Sequence, residues 1–233
     1  MNVQYLEALG LDLWVPRARA PATPSTAARV APPPAAPPVD DDWQSLAGEV
    51  RGCVQCGLAA TRTQTVFGVG NRQAELLVVG EAPGAEEDAR GEPFVGRAGQ
   101  LLNAILCAMR WPRESVYIAN ILKCRPPGNR DPKPEEVQCC LPFLHRQIAL
   151  IQPLMILAVG RIAAQNLLAT DTQIGKLRGV VHDFGARHTP LIVTYHPSYL
   201  LRSPGEKRKA WTDMKFLRNE LARRRAAAAA GAG

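Results

Sequence analysis

The chain has 233 residues, 46% of them hydrophobic and only 6% aromatic, with 28 Lys and Arg against 21 Asp and Glu for a formal charge of +7. That length serves one ordinary domain or two small ones. No apolar run nears the roughly 18 residues of a membrane helix, and no basic segment leads into an apolar core with a cleavage site, so the expectation is a cytoplasmic protein with no membrane partner.

In chain order, residues 1–15 hold a short apolar segment (Tyr5, Leu6, Leu9, Leu11, Leu13, Trp14), too small to fold alone. Residues 16–42 are Pro- and Ala-rich, end in Asp40-Asp41-Asp42 and read as a disordered linker. Residues 43–225 are the folded domain, and the alanines and glycines of 226–233 read as a disordered tail. The domain carries 25 basic against 16 acidic residues, or +9, a balance suited to a polyanion such as nucleic acid.

Within that domain Leu76–Val79, Val116–Ile121, Leu154–Val159 and Leu191–Tyr195 are near-continuous apolar runs, the pattern of strands covered on both faces. Between them, Leu101, Leu102, Ile105 and Leu106, then Val137, Leu141, Leu144 and Ile148, then Ile162, Ala163 and Leu167 keep helical spacing, and a last helix is predicted from about Ala210 to Arg225. Strands alternating with helices predict a three-layer α/β/α sandwich around a central, mostly parallel four-stranded sheet.

Ligands of such sheets sit at the carboxyl ends of the strands. The first run leads into Gly80-Glu81-Ala82-Pro83-Gly84, the second ends on Asn120 and Lys123-Cys124-Arg125, and the fourth delivers His196-Pro197-Ser198-Tyr199. A carboxylate, a carboxamide and an imidazole therefore converge on one edge. The first loop lacks a phosphate-binding glycine pattern. Its acids, Glu81, Glu86, Glu87 and Asp88, leave a metal-dependent nuclease as a weak alternative beside a solvated helix start.

Six cysteines without a signal peptide indicate intracellular thiols or metal ligands instead of a disulfide framework. Cys53 and Cys56 form Cys-x-x-Cys, Cys124 follows the second run, and Cys139-Cys140 open the next helix, a spacing that fits structural zinc or an iron–sulfur cluster. Cys107 sits on an apolar helical stretch and reads as a core residue.

Gly80 to Asp88, Gly91-Glu92-Pro93-Phe94-Val95-Gly96, Asn120 with Lys123-Cys124-Arg125-Pro126-Pro127, and His196-Pro197-Ser198-Tyr199-Leu200-Leu201-Arg202 together resemble the iron–sulfur, family 4 uracil-DNA glycosylases over about residues 45–222. The resemblance implies a monofunctional repair enzyme that flips uracil out of DNA, hydrolyses its glycosidic bond and leaves an abasic site. It implies a 4Fe-4S cluster on Cys53, Cys56, Cys124 and Cys140, the last preferred to Cys139 because Cys140-Leu141-Pro142-Phe143-Leu144 keeps the family register. Glu81 would direct the water and His196 would donate to the uracil O2 as charge develops there. Asn120 would read O4 and N3–H, a pattern that cytosine reverses. Phe94 would stack on the base, Glu87 would crowd its C5 edge, and Ala82 and Gly84 would line the pocket. Tyr199, Leu200 and Leu201 would wedge into the gap left by the base, with Arg202, Lys123, Arg125, Arg130 and Arg178 on phosphates.

A related family captures the sugar with a histidine in the loop after the second strand; Cys124 to Arg130 has none, which favours turnover. The alternative from another class is a catalytically silent cluster-bearing module that binds DNA for a replication or repair complex. Leu11-Asp12-Leu13-Trp14 resembles peptides that dock on the bacterial sliding clamp, although Gly10 stands where those carry Gln. No coiled-coil pattern is evident, and monomeric action is expected.

Overall fold

Leu76–Gly80 and Met155–Val159 are buried at every position, and no polar side chain interrupts either run. Such segments need cover on both faces. A computed structural model, which describes residues 39–231, supplies it with helices on each side of one sheet. In chain order the elements are α1 (Val39–Gly52), β1 (Val69–Gly70), β2 (Leu76–Gly80), α2 (Ala85–Arg90), α3 (Arg97–Ala108), β3 (Tyr117–Asn120), α4 (Pro134–Ile151), β4 (Met155–Val159), α5 (Arg161–Leu167), α6 (Ile174–Leu177), β5 (His182–Phe184), β6 (Thr189–Thr194), α7 (Pro197–Arg202) and α8 (Lys207–Gly231).

The strand order is β1-β3-β2-β4-β6-β5. The four inner strands are parallel, and β1 and β5 add antiparallel edges. Successive side chains of a strand point to opposite faces. Leu77, Val79, Tyr117, Ala119, Ile156 and Ala158 accordingly pack with Leu46 of α1, Leu144 of α4 and Ala163 of α5. Leu76, Val78, Ile118, Leu157 and Ile192 pack with Leu102 and Leu106 of α3 and with Met214, Leu217 and Leu221 of α8. The α/β/α sandwich is thus as the sequence predicts.

Among the described residues, the strand count and the ends of two helices differ from that expectation. The sheet has six strands instead of four, because two residues of β1 and the mixed His182-Asp183-Phe184 of β5 are too short or too polar to show as apolar runs. Helix α1 begins at Val39, within the segment assigned to the linker. Helix α8 starts at Lys207 and continues to Gly231 where a tail was expected from 226, in keeping with the high helix propensity of alanine. Residues 1–38, with the apolar segment and the clamp-type peptide, lie outside the described residues. No helix among the described residues is long and apolar enough to cross a membrane.

Candidate active site and cysteine hollow

The register of the parallel strands brings the polar groups level with one another. Gly80 pairs with Asn120 and Val159 with Thr194, so Glu81, Asn120, Gly160 and His196 leave the sheet at its carboxyl edge. The chain leaving β2 runs to β3 on one side, and the chain leaving the adjacent β4 runs to β5 and β6 on the other, which opens a crevice between β2 and β4. A cleft of about 400 Å3 occupies it, lined among others by Glu81, Ala82, Gly84, Glu87, Phe94, Asn120, His196 and Arg202.

Two glycines permit the close approach. A Cβ on Gly80 would fall 2.4 Å from Asn120 Oδ1 and 2.5 Å from the Phe94 ring, and one on Gly160, whose φ is +99°, would fall 2.9 Å from the His196 Cβ. Phe94 and His196 stand with ring centroids 5.7 Å apart at an interplanar angle of 32°. Asn120 is 2% exposed, and its Oδ1 is buried without a hydrogen-bond partner. Such an acceptor costs free energy until a donor arrives.

Electrostatics separate the two ionisable groups. Burial, and then the neighbouring Asp131 carboxylate, raise the Glu81 carboxyl to about 7, with Arg161 partly offsetting them. Arg161 Nη2 donates to Asp131 Oδ2 at 2.5 Å. Burial, helped by the Arg202 cation, lowers His196 to about 4, against the pull of Glu87. The imidazole is therefore neutral at pH 7. Its Nδ1 faces the Ser198 hydroxyl at 2.7 Å and accepts from the Ser198 backbone N–H at 3.2 Å, which leaves the proton on Nε2.

Glu87 acts first as a brace. Its Oε2 accepts from the Gly84 N–H at 3.1 Å, and its Oε1 accepts from the N–H groups of Val95 and Gly96 at 2.9 and 3.0 Å, closing the loop that carries Phe94. Phe94 itself has φ of 54°, and a Cβ on Gly99 would collide with its carbonyl oxygen at 1.9 Å. Asp88 is turned to the Thr63 and Gln64 N–H groups, and Glu86 is exposed. The four acids of this loop thus do not converge, and no group of three or more His, Cys, Asp or Glu among the described residues is disposed to hold a single metal ion.

Cys53, Cys56, Cys124, Cys139 and Cys140 line a separate hollow with Arg62, Lys123 and Phe143. Cys140 is the buried member of the adjacent pair and its Sγ accepts from the Lys123 N–H at 3.1 Å; the Cys139 thiol is half-buried and donates to the Gln55 carbonyl at 3.5 Å. Arg62 Nη1 donates to Cys124 Sγ at 3.2 Å. Burial pushes the Cys140 thiol up to about 11 and Cys124 upward as well, so a bound cation would have to stabilise the thiolates. Cys107, expected in the core, is exposed on α3.

Several residues assigned to DNA are engaged elsewhere. Lys123 is 1% exposed and its ammonium is bonded internally, because the chain after β3 turns inward towards the cysteines. Arg178 donates through Nε and Nη2 to Asp213 at 2.7 and 2.9 Å and lies 4.2 Å over the Tyr195 ring. Leu200 is 1% exposed on the inner side of α7, while Tyr199 is exposed and Leu201 half-buried. Arg130 is held by both oxygens of Glu136, and half-buried Arg125 donates to Asn129 Oδ1 at 2.8 Å. Arg202 is exposed and lines the cleft. Sequence reasoning missed Ser198, which its place two residues after His196 at a helix start marks as a partner, and also Asp131, Arg161 and Arg62, which no local pattern marks.

Residues 67–215 match the family model described as the Uracil DNA glycosylase superfamily. The type-4 uracil-DNA glycosylase of Archaeoglobus fulgidus is 45% identical over 181 residues, covering 75% of this chain and 91% of that protein. The type-4 uracil-DNA glycosylase of Thermotoga maritima is 46% identical over 156 residues, 66% of this chain and 80% of that protein. The type-5 uracil-DNA glycosylase of Thermus thermophilus is more distant, at 34% over 157 residues, 57% of this chain and 68% of that protein.

Proposed function

The chain belongs to the uracil DNA glycosylase superfamily, within which it is a type-4 uracil-DNA glycosylase, and we propose that its cleft at the carboxyl edge of the sheet receives one flipped uracil and cleaves it from the sugar. The protein is a monofunctional hydrolase of DNA repair. The observation that carries the assignment of the cleft is the buried, unpartnered Asn120 Oδ1 beside the Phe94 ring. Uracil N3–H satisfies that acceptor, and the Asn120 amide donates to O4. Cytosine presents an acceptor at N3 and a donor at C4, which leaves both groups unpaired.

As the C1′–N1 bond breaks, its electron pair passes to the base and negative charge spreads to O2. His196, neutral and protonated at Nε2, donates there without contributing a fixed charge. Such a donor gains strength as the charge grows, which is what lowers the barrier. Glu81, when ionised, orients a water and accepts its proton as the oxygen bonds to C1′, and its negative charge offsets the cationic sugar. Glu87, braced by three amides, would exclude thymine by crowding its C5 methyl group. The base leaves the stack at a cost of a few kcal/mol. Tyr199 and Leu201 fill the vacated space and Arg202 binds a flanking phosphate; Leu200 anchors α7.

Cys53, Cys56, Cys124 and Cys140 would hold a 4Fe-4S cluster. Thiols gathered around one hollow, two of them in Cys-x-x-Cys spacing, are the donor set such a cluster takes. The cluster would tie the segment after α1 to the loop after β3 and the start of α4, and hydrolysis needs no electron from it. For the reaction, labelled oligonucleotides bearing one uracil, thymine or cytosine are treated with the protein and then with alkali. Cleavage at uracil alone is expected; cleavage at none, with DNA still bound, would leave the silent binding module in its place.

A further inference from the structure

Lys123 is a buried amine that the reaction does not use. Its Nζ donates to the Asn120 carbonyl at 2.9 Å and to Gln147 Oε1 at 2.6 Å. Gln147, 0% exposed on α4, donates in turn to the Phe67 carbonyl at 3.0 Å and to the Tyr117 hydroxyl at 3.4 Å, so it is fixed from the other side. The backbone of Lys123 is held as tightly. Its N–H donates to Cys140 Sγ at 3.1 Å and its carbonyl accepts from the Val66 N–H at 2.7 Å.

Burying an amine is costly where an apolar side chain would fill the space, so the packing of the core does not call for a lysine here. What the amine provides is a strut to one peptide group. The Asn120 carboxamide oxygen has no partner of its own, and its aim therefore depends on the backbone that carries it. The same residue that holds that backbone bonds a cysteine of the second site.

We infer that Lys123, braced by Gln147, is a positioning residue for uracil recognition, holding the backbone that carries the Asn120 carboxamide and joining the base pocket to Cys140. This rests on Asn120 as the group that reads uracil. Order in the cysteine site and order in the base pocket then become one property, transmitted through three residues of chain.

The test is a double-mutant cycle in the cluster-loaded, full-length protein, following single-turnover uracil release, visible absorbance and thermal unfolding together. Lys123→Met alone is expected to slow release about 10- to 100-fold at saturating DNA, the scale of a misplaced group. It should keep the cluster absorbance and the affinity for uracil-free duplex. In an Asn120→Ala background the same change should add almost nothing, since there is no carboxamide left to place. Gln147→Leu, which touches neither Asn120 nor a cysteine, should repeat the pattern more weakly. Additive losses in the cycle, an unchanged rate in both single variants, or loss of cluster and fold in both would overturn the inference. Failure of the parental protein to release uracil would instead remove the assignment of Asn120.

Discussion

His196 Nδ1 lies 2.7 Å from the Ser198 hydroxyl and accepts from the Ser198 backbone N–H, so one residue fixes both the tautomer and the orientation of the ring. The remaining nitrogen, Nε2, is then a donor by necessity. Nitrogen NMR of the imidazole should show Nδ1 unprotonated and Nε2 protonated from pH 8 down to about 5, consistent with a pKa near 4. Ser198→Ala removes the hydroxyl and keeps the backbone bond, and should lower the rate about fivefold, the scale of one hydrogen bond of ~1 kcal/mol. A ring that titrates near its ordinary value would contradict this.

The pH dependence of release should be set by Glu81. A group that must be ionised to accept a proton, with its pKa raised to about 7, gives a rate that climbs about tenfold per pH unit below 7 and levels above it. His196, neutral over that range, contributes no limb above about pH 5. Asp131→Asn removes a nearby negative charge that favours the protonated form, so the midpoint should move to lower pH. A midpoint that stays put or rises would show that Asp131 does not act on Glu81.

Much of this was legible in the chain because the inner strands are covered on both faces and leave no ambiguity of period. Once Leu76–Gly80, Tyr117–Asn120 and Thr189–Thr194 are strands, their following residues fall on one edge, and Glu81, Asn120 and His196 meet as a consequence of topology. What the sequence hides is the direction of individual side chains in irregular segments. Lys123 and Arg178 look like solvated cations, yet one turns inward under β3 and the other is drawn to Asp213 from a helix 35 residues away. Leu200 is indistinguishable from Leu201 until α7 is known to be a helix with one buried side.

The adjacent cysteines give a clean comparison. Cys140→Ser should abolish the visible absorbance of the cluster and lower the unfolding temperature, whereas Cys139→Ser, which loses one long bond to the Gln55 carbonyl, should retain both. Iron and sulfide analysis of the two purified variants checks it. The reverse pattern would make Cys139 the ligand.

Asp213 should matter for stability instead of chemistry. Its carboxylate accepts from Arg178 and from the Thr194 hydroxyl at 2.7 Å, tying α8 to the end of β6 just before His196. Asp213→Ala leaves a poorly exposed guanidinium without its partner, and is expected to cost about 3–5 kcal/mol in chemical denaturation. Replacing Arg178 as well should recover part of that loss. A double variant no better than the single one would place the cost in the lost Thr194 bond.

The most direct measurement is single-turnover uracil release by cluster-loaded parent, Glu81→Gln and His196→Ala proteins, with DNA affinity measured in parallel. Both substitutions should slow release by at least about 100-fold, the range for removing a positioned acid–base group or a transition-state donor, while the affinity for uracil-containing duplex changes little. Parental rates in either variant would contradict the role given to that residue. Parental rates in both would place the reaction outside this cleft.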